Sequence, residues 1–275
     1  MAMTEARRDA SSVADEDALP DYLLPPNKED MVPEDHPDAG DAVAAAAAPP
    51  VNTKLDVPTT GLYGTHNDAR RFGIAQTIEA LLETGRIFAG RHPGHPVGIG
   101  DISKQGGGQI SGHASHRKGV DVDIRLLRTD GKKEATTFTS AEYSRPHTQE
   151  LIDVIRANSL LAVQFVFFND PKAEGVQFED NHHHHLHVRF HMPGGGGAAP
   201  PLLVVGSGNK PAVREMQRRL NSWIKTSGPA GLEPVEADGK FDAETEKAVR
   251  AFQTANGLGV DGKVGKNTWG KLPKV

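Results

Sequence analysis

Residues 181–190 read NHHHHLHVRF, and from His185 onward polar and apolar side chains alternate. Because alternate residues of a β-strand share a face, the pattern predicts a strand over 185–190 with one buried and one polar face. The buried face comprises Leu186, Val188 and Phe190, and the polar face comprises His185, His187 and Arg189. A histidine tag sits at a terminus and has no reason to continue into an amphipathic strand. The histidine run is therefore interpreted as part of a strand whose polar face lines a cleft.

A second polar cluster lies upstream in SGHASHRKGVDVDIRLL (111–127), where another alternating strand places Asp121 and Asp123 on one face. Catalytic zinc is commonly held by three histidine or carboxylate ligands, with a fourth position kept for water. His116, Asp123 and His187 supply three such ligands, and their pattern predicts a metal site. Taken singly, each residue keeps an alternative reading, as a core or surface histidine or as an aspartate on a solvated strand face.

The composition is typical of a soluble globular protein, since 37% of the 275 residues are hydrophobic and 24% are charged. No stretch approaches the ~20 apolar residues of a transmembrane helix, so membrane insertion is not predicted. The absence of cysteine excludes disulfides, cysteine zinc sites and a thiol nucleophile. The acidic balance is concentrated in residues 1–56, which hold 13 acidic and 4 basic residues. No basic patch is interleaved with aromatic residues, so nucleic-acid binding is not predicted.

The chain divides into four segments by composition. Residues 1–56 are rich in proline, alanine and acidic residues, which predicts a disordered leader. Residues 57–193 are predicted to form an α+β domain, in which a small antiparallel sheet has flanking helices. The predicted helices cover 68–88, with Asn67 as N-cap, and 148–157, and the predicted strands cover 119–126, 162–168 and 185–190. Residues 194–201 (GGGGAAPP) are typical of a linker.

The last segment, residues 202–275, contains an internal repeat. AVREMQ (212–217) recurs as AVRAFQ (248–253), and DGKFDAET (238–245) recurs as DGKVGKNT (261–268). Each copy joins an amphipathic helix to an Asp-Gly turn. Two such copies are expected to pack into a single small helical domain.

Two separated motifs, GIGDISKQGGGQISGHASHRKGVDVDI (98–124) and NHHHHLHVRF (181–190), resemble the penicillin-insensitive murein endopeptidases. That family is grouped with the D-Ala-D-Ala carboxypeptidases and lysostaphin-type enzymes, and the resemblance covers about residues 57–193. The C-terminal repeat resembles a three-helix peptidoglycan-binding domain over about residues 202–272. Its matching motifs are GSG (206–208), MQRRL (216–220) and the two DGK segments.

The resemblance implies Zn²⁺ as the cofactor, with His116, Asp123 and His187 as its ligands. It also implies three catalytic histidines, namely His185, His113 and His182. A contact to a ligand or to the substrate is expected of Asp121 and Arg189.

The implied activity is zinc-dependent cleavage of the D-Ala–meso-diaminopimelate cross-link of peptidoglycan, by a monomer acting at the periplasm or cell wall. A secretory signal is not visible in MAMTEARRDASSVADEDALPDY, so several delivery routes stay open. They are holin-dependent release of a phage endolysin, injection of an antibacterial effector by a secretion machine, and processing from a longer precursor. The alternative activities are L-Ala–D-Glu or D-Ala-D-Ala cleavage by the same kind of site, non-catalytic peptidoglycan binding, and metal storage.

Overall fold

The computed structural model describes residues 48–65, 68–195 and 199–274. Seven strands are found: β1 (Thr53–Lys54), β2 (Leu62–Gly64), β3 (Phe72–Gly73), β4 (Val97–Ile99), β5 (Asp121–Arg125), β6 (Val163–Phe167) and β7 (His185–Phe190). The α-helices are α1 (Ala75–Arg91), α2 (Arg145–Arg156), α3 (Lys210–Ser227), α4 (Ala243–Ala255) and α5 (Lys266–Lys271). None of the helices in these described ranges has the length and apolarity needed to cross a membrane.

Five of the strands form one sheet in the order β2, β4, β5, β7, β6. The pair β2–β4 is parallel and the other three pairs are antiparallel. Apolar side chains of α1 and α2 share one buried core with those of β5 and β7. The predicted α+β class, with a small antiparallel sheet and flanking helices, is confirmed, and the parallel pair at the sheet edge is an addition to it.

The strand predictions agree best with the structure where alternation is strongest. β7 has the predicted bounds, whereas β5 and β6 lose one or two residues at each end of the predicted spans. α2 begins at Arg145, three residues before the predicted start, with a proline in its first turn. Proline suits the first turn of a helix because its missing N–H has no intrahelical acceptor there.

The helix predicted over 68–88 is wrong at its beginning, because α1 starts only at Ala75. The preceding residues form a short 3₁₀-helix and β3, and the N–H of Phe72 donates to the carbonyl of Ser103 at 3.1 Å. A tertiary hydrogen bond therefore holds this segment extended against its helical periodicity. Asn67, the predicted N-cap, lies outside the described residues.

The segment predicted as a leader, 1–56, is folded at its C-terminal end. Leu55 is fully buried, Val51 is buried beside it in the same core, and β1 pairs with β3. These two apolar residues hold the end of the segment in the core, which the average composition of residues 1–56 does not predict. The rest of the predicted leader, residues 1–47, lies outside the described residues.

The C-terminal region forms the predicted three-helix unit of α3, α4 and α5, and its two sequence repeats make the same contacts. The amide of Gln217 accepts the N–H of Gly239 at 2.9 Å and donates to the carbonyl of Lys240 at 2.9 Å. Gln253 repeats the pattern, accepting from Gly262 and donating to Lys263, at the same distances. Each Asp-Gly turn is thus fastened to its helix by one buried glutamine. Phe252 and Trp269 are both buried in the core of this unit.

Direct contact between α2 and α3 joins the C-terminal unit to the rest of the chain. The carboxylate of Asp153, which is fully buried, accepts from Arg214 Nε at 2.8 Å and from Arg218 Nη1 at 2.8 Å. The equally buried Glu215 accepts two hydrogen bonds from Arg91, at 2.7 and 2.8 Å. The predicted linker is accompanied by an ion-paired interface that holds the two units together.

Candidate metal centre

The register of β5 and β7 places the polar residues of the two strands side by side. Asp123 lies opposite His187, and Asp121 lies opposite Arg189. The neighbours Leu186, Val188 and Phe190 are buried in the core, as the alternation predicts. Two adjacent strands therefore present one shared polar face.

His116 reaches the same point from the loop that precedes β5. Its backbone has φ = 62°, a left-handed conformation that costs free energy for a residue other than glycine. The side chain is fully buried, and Nδ1 donates to the carbonyl of Ile102 at 3.0 Å. This hydrogen bond leaves the Nε2 lone pair of His116 directed at Asp123.

Three imidazole nitrogens converge on one carboxylate oxygen. Asp123 Oδ1 lies 3.2 Å from His116 Nε2, 3.5 Å from His187 Nδ1 and 3.6 Å from His185 Nε2. His116 Nε2 and Asp123 Oδ1 are buried, and neither has a hydrogen bond among the described residues. Two ligand atoms bonded to one tetrahedral zinc ion at about 2.0–2.2 Å are separated by roughly 3.4 Å. The separations of Asp123 from His116 and from His187 fit such an ion.

Asp121 determines which ring nitrogen of His187 carries the proton. Asp121 Oδ1 accepts from His187 Nε2 at 3.1 Å and from Arg189 Nε at 2.6 Å, while Oδ2 accepts the backbone N–H of His116 at 3.2 Å. With its proton on Nε2, His187 keeps a lone pair on Nδ1, the nitrogen that faces Asp123. Hydrogen bonds of this kind orient metal-binding histidines in proteins. Asp121 is buried, so it is not a solvated surface aspartate.

Burial and the carboxylates set the charges of this cluster. Burial lowers the pKa of His187 to about 4 despite the neighbouring Asp121, so its imidazole is neutral at pH 7. Burial also lowers the pKa of His116, but the charges of Asp123, Asp121 and Asp101 outweigh it and raise the value to about 9. Burial opposes the ionisation of Asp121, yet the hydrogen bond from His187 and the charge of Arg189 bring its pKa well below the usual range. The cluster is thus an anionic, buried site that attracts a proton or a metal cation.

The remaining predicted catalytic histidines lie around this centre. His185 is half-buried among the other rings, and desolvation lowers its pKa well below the usual range, so it is neutral. The ring of His182 lies 4.9 Å from that of His185, and its Nδ1 donates to the carbonyl of Asp180 at 2.7 Å. His113 lies on the other side, with Nδ1 3.8 Å from Asp123 Oδ2. The donor atoms form two groups that could hold a metal ion, His113–His116–Asp123 and His182–His185–His187.

Asp101 is a residue of this centre that the sequence analysis did not single out. Its carboxylate is buried, and Oδ2 accepts from His113 Nε2 at 2.9 Å and from Arg70 Nη1 at 2.9 Å. It directly follows β4 within the motif 98–124, but a single aspartate after a strand gives no signal of its own. Its role becomes visible only when β4 is placed beside β5.

Four further histidines do not contact Asp123 among the described contacts, although the ring of His184 lies 4.7 Å from that of His185. His183 and His184 belong to the loop before β7, and the carbonyl of His183 accepts the N–H of Phe138 at 3.0 Å. His92 and His95 pack around His147, at the end of α1 and the start of α2.

Comparison with known families gives two matches. Residues 62–165 match the family model of the penicillin-insensitive murein endopeptidases, a metallopeptidase family, and residues 209–272 match that of a putative peptidoglycan-binding domain. None of the curated proteins is significantly similar to the chain. The first match includes His113, His116 and Asp123 but ends before β7. The two matches confirm the resemblance and support peptidoglycan hydrolysis as the activity.

Proposed function

Because the chain joins a murein endopeptidase domain to a peptidoglycan-binding domain, we propose that it is a zinc endopeptidase that cleaves peptidoglycan cross-links. The bond proposed is D-Ala–meso-diaminopimelate. The observation that carries the proposal is the convergence of His116 Nε2 and His187 Nδ1 on Asp123 Oδ1, at 3.2 and 3.5 Å. These are the donor types and spacings that a zinc ion requires.

The three ligand side chains would hold zinc with one position open towards the remaining histidines. Bound there, a zinc ion supplies Lewis acidity, which lowers the pKa of a water towards ~7 and polarises a carbonyl group. Asp121 keeps the His187 proton on Nε2, and the carbonyl of Ile102 keeps the His116 proton on Nδ1. His187 is thereby presented as a neutral donor, whereas His116, whose pKa of about 9 keeps it protonated at pH 7, would release its Nε2 proton when a metal ion binds.

His185 is the proposed general base. Its neutral imidazole has Nε2 3.6 Å from Asp123 Oδ1, so it is placed beside the ligand cluster and can accept a proton there. The same nitrogen can then donate that proton to the leaving amine of the cleaved peptide. The ring of His182 packs beside His185 at 4.9 Å and restricts its orientation.

His113 is the proposed donor to the developing oxyanion of the scissile carbonyl. His113 Nε2 is hydrogen-bonded to Asp101, so Nδ1 is the nitrogen left to donate to the substrate. This requires a proton on both ring nitrogens. The same Nδ1 without its proton would instead be a further metal ligand, and His113→Ala separates the two roles. Loss of an oxyanion donor lowers kcat and leaves metal affinity intact, whereas loss of a ligand lowers both.

The peptidoglycan-binding domain is proposed to keep the peptidase at its polymeric substrate. A binding unit attached to a hydrolase raises the effective concentration of the cleavable bonds. The α2–α3 interface, with its buried Asp153 and Glu215, further limits how the two units can be oriented. The place of action is proposed to be the periplasm or cell wall, reached as a phage endolysin or as a delivered antibacterial effector.

Digestion of purified Gram-negative-type sacculi tests this function. We expect dimeric muropeptides to fall to monomers with a free D-Ala carboxyl, to be protected by a chelator, and to be cleaved again when Zn²⁺ is restored. His187→Ala should abolish cleavage, and the matched control His191→Ala, on a half-buried histidine just beyond β7, should retain it.

Mass spectrometry of the fragments separates this proposal from its rivals. Cleavage at L-Ala–D-Glu, or removal of a terminal D-Ala only, would reassign the specificity within the same zinc chemistry. Sacculi that are bound but left intact by the zinc-loaded protein would refute the enzyme and favour a binding protein.

A further inference from the structure

A second group of histidines lies between the end of α1 and the start of α2, apart from the candidate metal centre. We call it the α1–α2 histidine cluster, and it consists of His92, His95, His147 and Glu150. His92 and His95 are three residues apart in the turn after α1, and His147 and Glu150 are three residues apart on α2. Residues at this spacing on a helix project from the same side, and the two pairs face each other.

In this cluster the ring of His147 packs against the rings of both His92 and His95. The centroid of His147 lies 4.6 Å from that of His92 and 4.1 Å from that of His95, and the two latter rings are 6.3 Å apart. The rings of His116 and His187, both at the candidate metal centre, are 4.8 Å apart. Imidazoles bound to one ion through Zn–N bonds of about 2.0–2.1 Å have centroids roughly 5 Å apart.

The nitrogens of the cluster have different partners. His92 Nε2 lies 3.1 Å from Glu150 Oε2. His147 Nδ1 is hydrogen-bonded to Ser144 Oγ at 2.9 Å. His95 Nε2 is buried and makes no hydrogen bond to any described residue. The cluster therefore places an unbonded imidazole nitrogen close to a contact between a histidine and a carboxylate.

We propose that the α1–α2 histidine cluster binds one divalent transition-metal cation that accepts imidazole and carboxylate ligands, such as Zn²⁺. Its donor atoms are less tightly gathered than the two groups at the candidate metal centre, each of which lies within 4.8 Å. Rotation of an imidazole about χ2 moves its nitrogens and keeps the ring in place. Such a rotation of His95, whose Nε2 has no hydrogen bond, would bring a third ligand to the contact between His92 and Glu150, and His147 keeps Nε2 available for the same ion. The ion would tie the end of α1 to α2, the helix on which α3 packs.

Metal stoichiometry of the full-length chain tests the proposal. After chelation and equilibrium dialysis against Zn²⁺ alone, elemental analysis should give two equivalents per chain. His95→Ala and His147→Ala should each raise the Kd of one equivalent at least about tenfold, since even changes to residues behind a ligand cost 10–100-fold. Both variants should keep full activity on sacculi, because neither residue touches the candidate metal centre. His95 lies on a turn, so its variant tests the idea without disturbing a helix.

Two further variants separate this site from other histidines. His116→Ala/His187→Ala should remove the other equivalent and leave that of the cluster in place. His183→Ala/His184→Ala removes two half-buried histidines of the histidine run and should change neither equivalent. A single wild-type equivalent that His116→Ala/His187→Ala removes, or a second equivalent that disappears with His183 and His184 but survives in both cluster variants, would overturn the proposal. Neither result affects the proposed peptidase activity.

Discussion

Replacement of Asp121 by asparagine tests how the protein orients its metal ligands. The aspartate accepts three hydrogen bonds, from His187 Nε2, Arg189 Nε and the backbone N–H of His116. Asparagine has the same shape but only one accepting oxygen. Its amide NH₂ must therefore face a donor, either the N–H of His116 or the pair formed by His187 and Arg189.

The contacts of Asp121 predict a loss of zinc affinity at the upper end of the range usual for residues that orient a metal ligand. Changing a group that orients a metal ligand typically costs 10–100-fold in affinity or activity, which corresponds to about 1.4–2.7 kcal/mol. In Asp121→Asn two effects add. A donor meets a donor in a buried site, and the charge that pairs with Arg189 is lost. We therefore expect the Kd for Zn²⁺ to rise about 100-fold, with a parallel fall in kcat.

Competition with a chromogenic chelator measures this Kd, and sacculus digestion at saturating Zn²⁺ measures the residual rate. Asp56→Asn, at an exposed position of the same domain, is the matched control and should behave as the wild type. A Kd for Asp121→Asn within threefold of the wild-type value would refute the argument that this carboxylate orients the ligands.

Three further changes test other parts of the account. Asp101→Asn should lower kcat about tenfold or more with KM nearly unchanged, because the histidine it holds acts on the transition state; a rise in KM alone would contradict this. Gln253→Ala removes a buried amide that holds an Asp-Gly turn against its helix. In urea denaturation the free energy of unfolding should fall by about 2–3 kcal/mol. A fall below about 0.5 kcal/mol would mean that the turn contact does not stabilise the fold. Asp153→Ala leaves Arg214 and Arg218 without their carboxylate partner at the α2–α3 interface, and the free energy of unfolding should fall by about 3 kcal/mol. This is the low end for a broken buried ion pair, because both arginines are partly exposed. An unchanged unfolding curve would mean that these ion pairs do not contribute to stability.

Strands β5 and β7 were predictable because their alternation is a local property of the sequence. The pairing of the two strands, and with it the contact between Asp123 and His187, requires only that both apolar faces enter one core. The beginning of α1 was not predictable in the same way. Its helical periodicity extends back to residue 68, but a hydrogen bond from Phe72 to Ser103, 31 residues further along the chain (103 − 72), draws the segment into β3.

In the candidate site, too, some residues could be predicted from the local sequence and others only from tertiary contacts. His116 and Asp123 stand in one motif, whereas Asp101 acquires its role through contact with Arg70 and His113. The ion pairs between α2 and α3 join residues more than sixty positions apart. Charged residues on helices are most often solvated, so only the packing of the two units distinguishes Asp153 from an ordinary surface residue.

Anomalous diffraction at the zinc edge, on crystals of the full-length chain loaded with Zn²⁺, would locate the bound ion itself. We expect an anomalous peak bonded to His116 Nε2, Asp123 Oδ1 and His187 Nδ1, with His185 beside the remaining position. A zinc ion found elsewhere in the histidine run, with these three atoms unligated, would contradict it.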